Sequence, residues 1–84
     1  MATVRFYSKS WCGYCHRAKD LLRLKGVPFE EIDVTHDREG EAEMIRLTGR
    51  HTVPQIFIGD HHVGGYDDLA RLDARGELDP LLGL

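Results

Sequence analysis

The sequence predicts an α/β fold, a four-stranded mixed sheet flanked by three helices in the order βαβ–α–ββ–α, with residues 1–84 forming a single domain. Three observations carry this expectation. Eighty-four residues, 42% hydrophobic and 30% charged, have an ordinary globular composition and fill one modest core. Two segments rich in β-branched and aromatic residues bracket an amphipathic helical stretch, as in a βαβ unit. A Gly59–Asp60 pair between two short apolar runs marks a hairpin.

Thr3-Val4-Arg5-Phe6-Tyr7 has strand composition. From about Cys12 to Lys25, Ala18, Leu21 and Leu22 recur at helical spacing while Arg17, Lys19, Asp20 and Arg23 face outward. Gly26 suits the helix end, and Pro28 discourages continuation. Phe29 to Val34 reads as the second strand, parallel to the first through a right-handed crossover. A second helix runs from about Arg38 to Thr48, capped by Asp37 and closed by Gly49, with Met44, Ile45 and Thr48 on one face. Gln55 to Ile58 and a short run around His62 and Val63 form the hairpin. The third helix starts near Tyr66, carries Leu69 and Leu72 inward and ends at Gly76; Asp67 and Asp68 in its first turn suit the helix dipole. Leu78, Leu81 and Leu82 pack as a C-terminal turn.

Composition narrows the function. No apolar run reaches the ~18 residues of a membrane span, and the N-terminal residues lack a signal-peptide core, so a cytoplasmic protein without a membrane partner is expected. A net charge of −3 gives no basic field for nucleic acid. Two cysteines are too few for a secreted disulfide framework.

Cys12-Gly13-Tyr14-Cys15 stands where the first strand meets the first helix. Helical positions i and i+3 are neighbours, so a disulfide opens and closes there with little remodelling. Cys12 lies at the helix N-terminus, where unpaired N–H groups and the positive end of the dipole favour a thiolate; Cys15, one turn in, has less of both. Cys12 therefore attacks and Cys15 resolves. A thiol moved from pKa ~8.5 to ~5 gains about thirtyfold in thiolate fraction at neutral pH. It loses roughly 25- to 60-fold in intrinsic nucleophilicity, so the benefit falls on its departure from a mixed disulfide. In a βαβ context this spacing favours redox chemistry over two inert buried thiols. Cys12-Gly13-Tyr14-Cys15-His16 also matches a c-type haem attachment string, which would need export and a distal ligand. Zinc held by Cys12, Cys15 and two of His16, His61 and His62 lacks a second ligand pair at recognised spacing, so no metal site is expected and His61-His62 reads as an exposed hairpin pair.

Tyr7-Ser8-Lys9, Cys12-Gly13-Tyr14-Cys15, Thr52-Val53-Pro54 and Gly64-Gly65-Tyr66-Asp67-Asp68, in this order, resemble a small bacterial-type dithiol glutaredoxin over nearly the whole chain. The resemblance implies a thioredoxin-like fold and a glutathione-dependent thiol–disulfide oxidoreductase, with Cys12 and Cys15 catalytic. Its partners would be glutathione, as reducing co-substrate, and disulfide-containing or glutathionylated proteins; no tightly bound cofactor is implied, and the protein would be a monomer. It further implies a glutathione site made by Lys9, Tyr14, Thr52, Val53, Pro54, Gly65, Tyr66 and Asp67. Pro54 would be a cis-proline leaving the Val53 backbone to pair with the cysteinyl part of glutathione like an added strand. The γ-glutamyl end would lie at the third helix's N-terminus, with Asp67 or Asp68 on its ammonium and Lys9 near the glycyl carboxylate.

Departures from the family pattern open alternatives. Gly13 replaces a common proline, which in related proteins goes with a glutathione-ligated iron–sulfur (2Fe–2S) cluster between two subunits, so a cluster carrier is one alternative. Trp11-Cys12-Gly13 echoes thioredoxin, so a thioredoxin-like reductant is another. Glu41 stands where a basic or amide residue often helps the glycyl carboxylate, leaving Arg38 or Arg50 to compensate. Tyr66 replaces a small residue or cysteine, so no third thiol is available.

Overall fold

Strand β1 (Val4–Ser8) is central because its residues can be buried on both faces: Val4 and Phe6 point to one side and Tyr7 to the other, all at most 1% exposed. In the computed structural model, which describes residues 2–84, β1 is followed by α1 (Gly13–Leu24), β2 (Glu30–Asp33), α2 (Arg38–Thr48), β3 (Gln55–Ile58), β4 (His61–Gly64), α3 (Tyr66–Ala74) and α4 (Leu78–Leu82). The sheet order is β2-β1-β3-β4. β2 runs parallel to β1, pairing Phe6 with Glu31, whereas β3 is antiparallel to both β1 and β4.

Period-two alternation divides the apolar residues between two layers. Val4, Phe6, Ile56 and Ile58 meet Ala18 and Leu22 of α1, Leu69 of α3, and Leu78 and Leu82 of α4. On the opposite face Tyr7 and Phe57 meet Val34 and Met44, the latter from α2. The helix carrying the cysteine pair and the helix carrying the Gly-Gly-Tyr-Asp start thus share one side of the sheet.

Several boundaries differ from the sequence expectation for identifiable reasons. β1 ends on Ser8 rather than Tyr7, because Ser8 pairs with Asp33 of β2; its buried hydroxyl also donates to Glu31 Oε2 at 2.6 Å. α1 begins at Gly13, with Cys12 in extended conformation as its N-cap. Phe29 and Val34 lie just outside β2; Phe29 packs on Phe6 (5.4 Å between centroids), and the Val34 N–H still donates to the Ser8 carbonyl at 2.9 Å. α2 has the expected limits, its start capped by the Asp37 carboxylate on Gly40 N–H (2.9 Å). The C-terminal turn is a fourth short helix. Lys25, at the end of α1, pairs with Asp73 of α3 (2.7 Å) and with Asp79 of this helix (2.9 Å), and both raise the lysine's pKa. No helix among the described residues is long and apolar enough to cross a membrane.

Candidate active site

Three segments converge at one end of the sheet. The first is the β1–α1 loop. Its Ser10 N–H donates to Thr35 Oγ1 (2.8 Å), its Ser10 carbonyl meets His16 Nε2 (3.2 Å), and Cys12 N–H closes a turn onto the Lys9 carbonyl (3.1 Å). Pinned on both sides, the loop delivers Cys12 to the start of α1. Cys12 Sγ there accepts a hydrogen bond from Cys15 N–H at 3.2 Å, one of the backbone donors a helix start leaves unpaired.

The second segment is Thr52–Pro54, entering β3 through a cis Val53–Pro54 bond. Cys12 Sγ faces the Val53 carbonyl at 3.6 Å, where a thiol donates. The segment is fixed from below. Gln55, fully buried, donates through Nε2 to the Thr52 carbonyl (3.0 Å) and Oγ1 (3.2 Å), while its Oε1 meets His62 Nε2 at 2.7 Å. A glutamine in an otherwise apolar strand was the available signal for this brace. His62 is accordingly half-buried and tilted against the Phe57 ring (5.0 Å between centroids), not the exposed partner of His61 expected from sequence.

The third segment is the β4–α3 junction. Gly64 has φ +114°, and a side chain there would run into the Asp68 carboxylate and the Arg50 guanidinium, so only glycine fits. Asp68 Oδ2 accepts from Gly65 N–H (2.9 Å) and from Arg50 Nη1 (3.4 Å). The Gly65 N–H first, then Arg50, holds the Asp68 carboxyl below its ordinary range. Asp67, exposed, makes no ion pair among the described residues.

These segments enclose two adjoining hollows. One, of about 210 Å³, is lined by Tyr14, Thr52, Val53, Pro54, Gly65, Tyr66, Asp67 and Asp68. The other, of about 350 Å³, is lined by Lys9, Trp11, Cys12 and Gly13 together with Tyr14 and His51–Val53. Tyr14, Thr52 and Val53 belong to both, so the hollows read as one cleft passing the Cys12 sulfur. Tyr14 stacks on Tyr66 at 6.2 Å, giving that cleft an aromatic wall.

Of the residues singled out in the sequence, Cys12, Lys9, Tyr14, Thr52, Val53, Pro54, Gly65, Tyr66 and Asp67 line the cleft. Cys15 stands behind it, 1% exposed; burial first, then its contact with Cys12, pushes its thiol up to about 12. Both thiols are free in this structure. Trp11 and His51 also line the cleft and were missed. Trp11, 71% exposed beside a cysteine, carried a legible signal; His51 carried none. Arg50 does not compensate for Glu41, since it is engaged by Asp68 at the α3 end of the cleft. Glu41 instead pairs with Lys9 at 2.6 Å. Among the described residues, no three His, Cys, Asp or Glu side chains gather closely enough to hold a metal ion.

Comparison with known proteins identifies related sequences and folds. A sequence model of the family described as Glutaredoxin matches residues 4–63. Glutaredoxin 3 of Escherichia coli K12 is 57% identical over 82 residues, covering 98% of this chain and 99% of the relative. The crystal structure of a buckwheat glutaredoxin–glutathione complex superposes with a TM-score of 0.89 at 34% identity, over 98% of this chain and 77% of that one. The solution structure of glutaredoxin from Brucella melitensis has a TM-score of 0.86 at 52% identity, over 98% and 89% of the two chains.

Proposed function

The chain belongs to the glutaredoxin family and is a glutathione-dependent thiol–disulfide oxidoreductase of thioredoxin-like fold, and from that premise we propose how its residues divide the work. Cys12 is the attacking sulfur. For a glutathionylated target, its thiolate displaces the target's thiolate and takes the glutathionyl group as a mixed disulfide; a second glutathione thiolate then displaces Cys12, leaving oxidised glutathione. For a protein disulfide, Cys12 forms a mixed disulfide with one target sulfur, and Cys15, after losing its proton, attacks Cys12 and releases the reduced target. Glutathione then reduces the internal disulfide, one molecule opening it as a mixed disulfide and a second completing the reduction.

The observation that carries this reading is the position of Cys12 Sγ: N-cap of α1, 3.2 Å from a backbone N–H donor, on the wall of the cleft. Each time Cys12 leaves a mixed disulfide, its electron pair develops opposite that donor and the positive end of the helix dipole.

Glutathione lies along the cleft with its cysteinyl backbone against Val53, Tyr14 and Tyr66 beside it, and Thr52 and Pro54 shaping the wall. Its amino-acid head carries both a carboxylate and an ammonium and suits α3's start, where the first-turn residues Tyr66 and Asp67 bring backbone N–H groups and the Asp67 carboxylate to the cleft. Its glycyl end, a single carboxylate, suits the ammonium of Lys9. No observation at the site favours the cluster-carrier or thioredoxin-like alternatives. The 84 residues act as one unit, as a cytoplasmic monomer whose substrates are proteins carrying disulfides or glutathione adducts. A glutathione-coupled mixed-disulfide assay tests the assignment: Cys12→Ser is expected to fall to background, and retained turnover would overturn it.

A further inference from the structure

At its Lys9 end the cleft already contains a carboxylate. Lys9 Nζ lies 2.6 Å from Glu41 Oε2 and 5.6 Å from the centre of the Trp11 ring. Glu41 is well placed to hold that position, because its backbone N–H is fixed on the Asp37 carbonyl (3.0 Å) in the first turn of α2. Its side chain is nevertheless 34% exposed, against 19% for Lys9. Glu41 can therefore turn out into water while the ammonium stays over the indole face.

Resting on the glutathione orientation given above, we propose that Glu41 is an internal competitor for the ligand's glycyl carboxylate, occupying Lys9 in the empty cleft and yielding it when glutathione binds. Binding then exchanges one carboxylate for another at Lys9, and most of the attraction between Lys9 and the ligand is cancelled by the pair it breaks. The opposite end of the cleft lacks this feature. Asp68 there occupies the Gly65 N–H, but Asp67 remains without an ion-pair partner among the described residues. Glu41 thus sets how loosely the cleft holds glutathione, at one end and for one functional group.

A partly exposed ion pair contributes little, so its removal should tighten binding by about two- to fivefold. The full-length reduced protein is titrated by NMR with S-methylglutathione, a thioether that cannot enter exchange, and with its glycinamide, which lacks the glycyl charge. Glu41→Gln should lower the Kd for the acid about two- to fivefold and leave the amide unchanged. Lys9→Met should weaken the acid selectively, and Lys9→Met/Glu41→Gln should match Lys9→Met alone. Glu41→Ala, which removes the carboxylate by a different change, should repeat the Glu41→Gln result.

If Lys9→Met weakens the acid but neither Glu41 variant tightens it, competition by Glu41 is wrong and the orientation stands. Equal tightening by Glu41→Gln with Lys9 absent would also overturn it, as an effect of overall charge. If Lys9→Met fails to distinguish acid from amide even when introduced into the Glu41→Gln protein, where no internal carboxylate offsets it, the orientation itself fails and takes the proposal with it.

Discussion

Cys12 and Cys15 are the same residue three positions apart, both nearly covered by protein, yet their surroundings differ in kind. The Cys12 sulfur lies at the helix start, accepts a backbone N–H at 3.2 Å and lines the cleft. The Cys15 sulfur lies one turn in and 1% exposed, and burial there pushes its pKa up to about 12. Exposure alone does not separate them, since Cys12 is itself only 5% exposed. What separates them is whether a vacant helix donor or the apolar interior receives the negative charge. On the division of labour proposed above, one sulfur attacks and later leaves, while the other stays a neutral thiol until a mixed disulfide forms beside it.

The sharpest way to break this contrast is Cys15→Ser. Reduction of protein disulfides should fall to near background, because no second sulfur is left to release the target. Turnover of a glutathionylated peptide should stay within a few-fold of wild type. Equal loss of both activities, measured side by side, would show that the two sulfurs do not divide the work.

A smaller effect follows from the raised pKa of Cys15. Between the ordinary thiol value of 9.0 and about 12, the unfolded chain has lost this proton while the folded chain keeps it. Stability is thus fully present below pH 9.0 and is lost as pH rises toward 12. Tyr7, also raised to about 12 by burial and its hydrogen bond to Glu43, contributes the same trend and must be subtracted. Denaturant unfolding from pH 8 to 11 should therefore show a steeper loss for the reduced wild type than for Cys15→Ser. Parallel curves would place Cys15 in an environment no different from water.

Smaller again is stoichiometric alkylation of the native reduced protein at pH 7. One equivalent of iodoacetamide should enter quickly, at Cys12 by peptide mapping, with Cys15 modified only on denaturation. Prior labelling of Cys15 would reverse the contrast.

The smallest effect concerns the link between the two sulfurs. Gly13 is the first residue of α1, nothing lies within 4 Å of where a side chain would start, and Cys12 before it is already extended (φ −87°, ψ 112°). Proline is favoured at that helix position, and extended backbone is what it demands of its predecessor. Gly13→Pro should stabilise the fold by about 0.4–1 kcal/mol through a less free unfolded chain, as read by denaturant midpoint.

Much of the architecture was legible because local rules and tertiary packing agree. The β-branched and aromatic residues of Thr3 to Tyr7 identified the first strand, and Asp37 with Gly49 bounded α2. Disagreement arose where a tertiary partner decides. Ser8 joins β1 by pairing with Asp33 of β2, and Leu78 to Leu82 form a helix whose Leu78 and Leu82 are buried against the core of distant elements. At the site, the cysteine spacing and the Thr52-Val53-Pro54 and Gly64-to-Asp68 motifs pointed to the cleft residue by residue. The ion pairs did not follow: no local pattern shows that Arg50 goes to Asp68 while Glu41 goes to Lys9, because each pair spans separate elements.

Trp11 is the chain's single tryptophan, and it lies in the cleft wall with the Lys9 ammonium over its ring. The protein therefore carries its own optical probe at the sulfur that reacts. Indole emission, undiluted by any second tryptophan, reports the arrival and departure of charge at this one surface without a label.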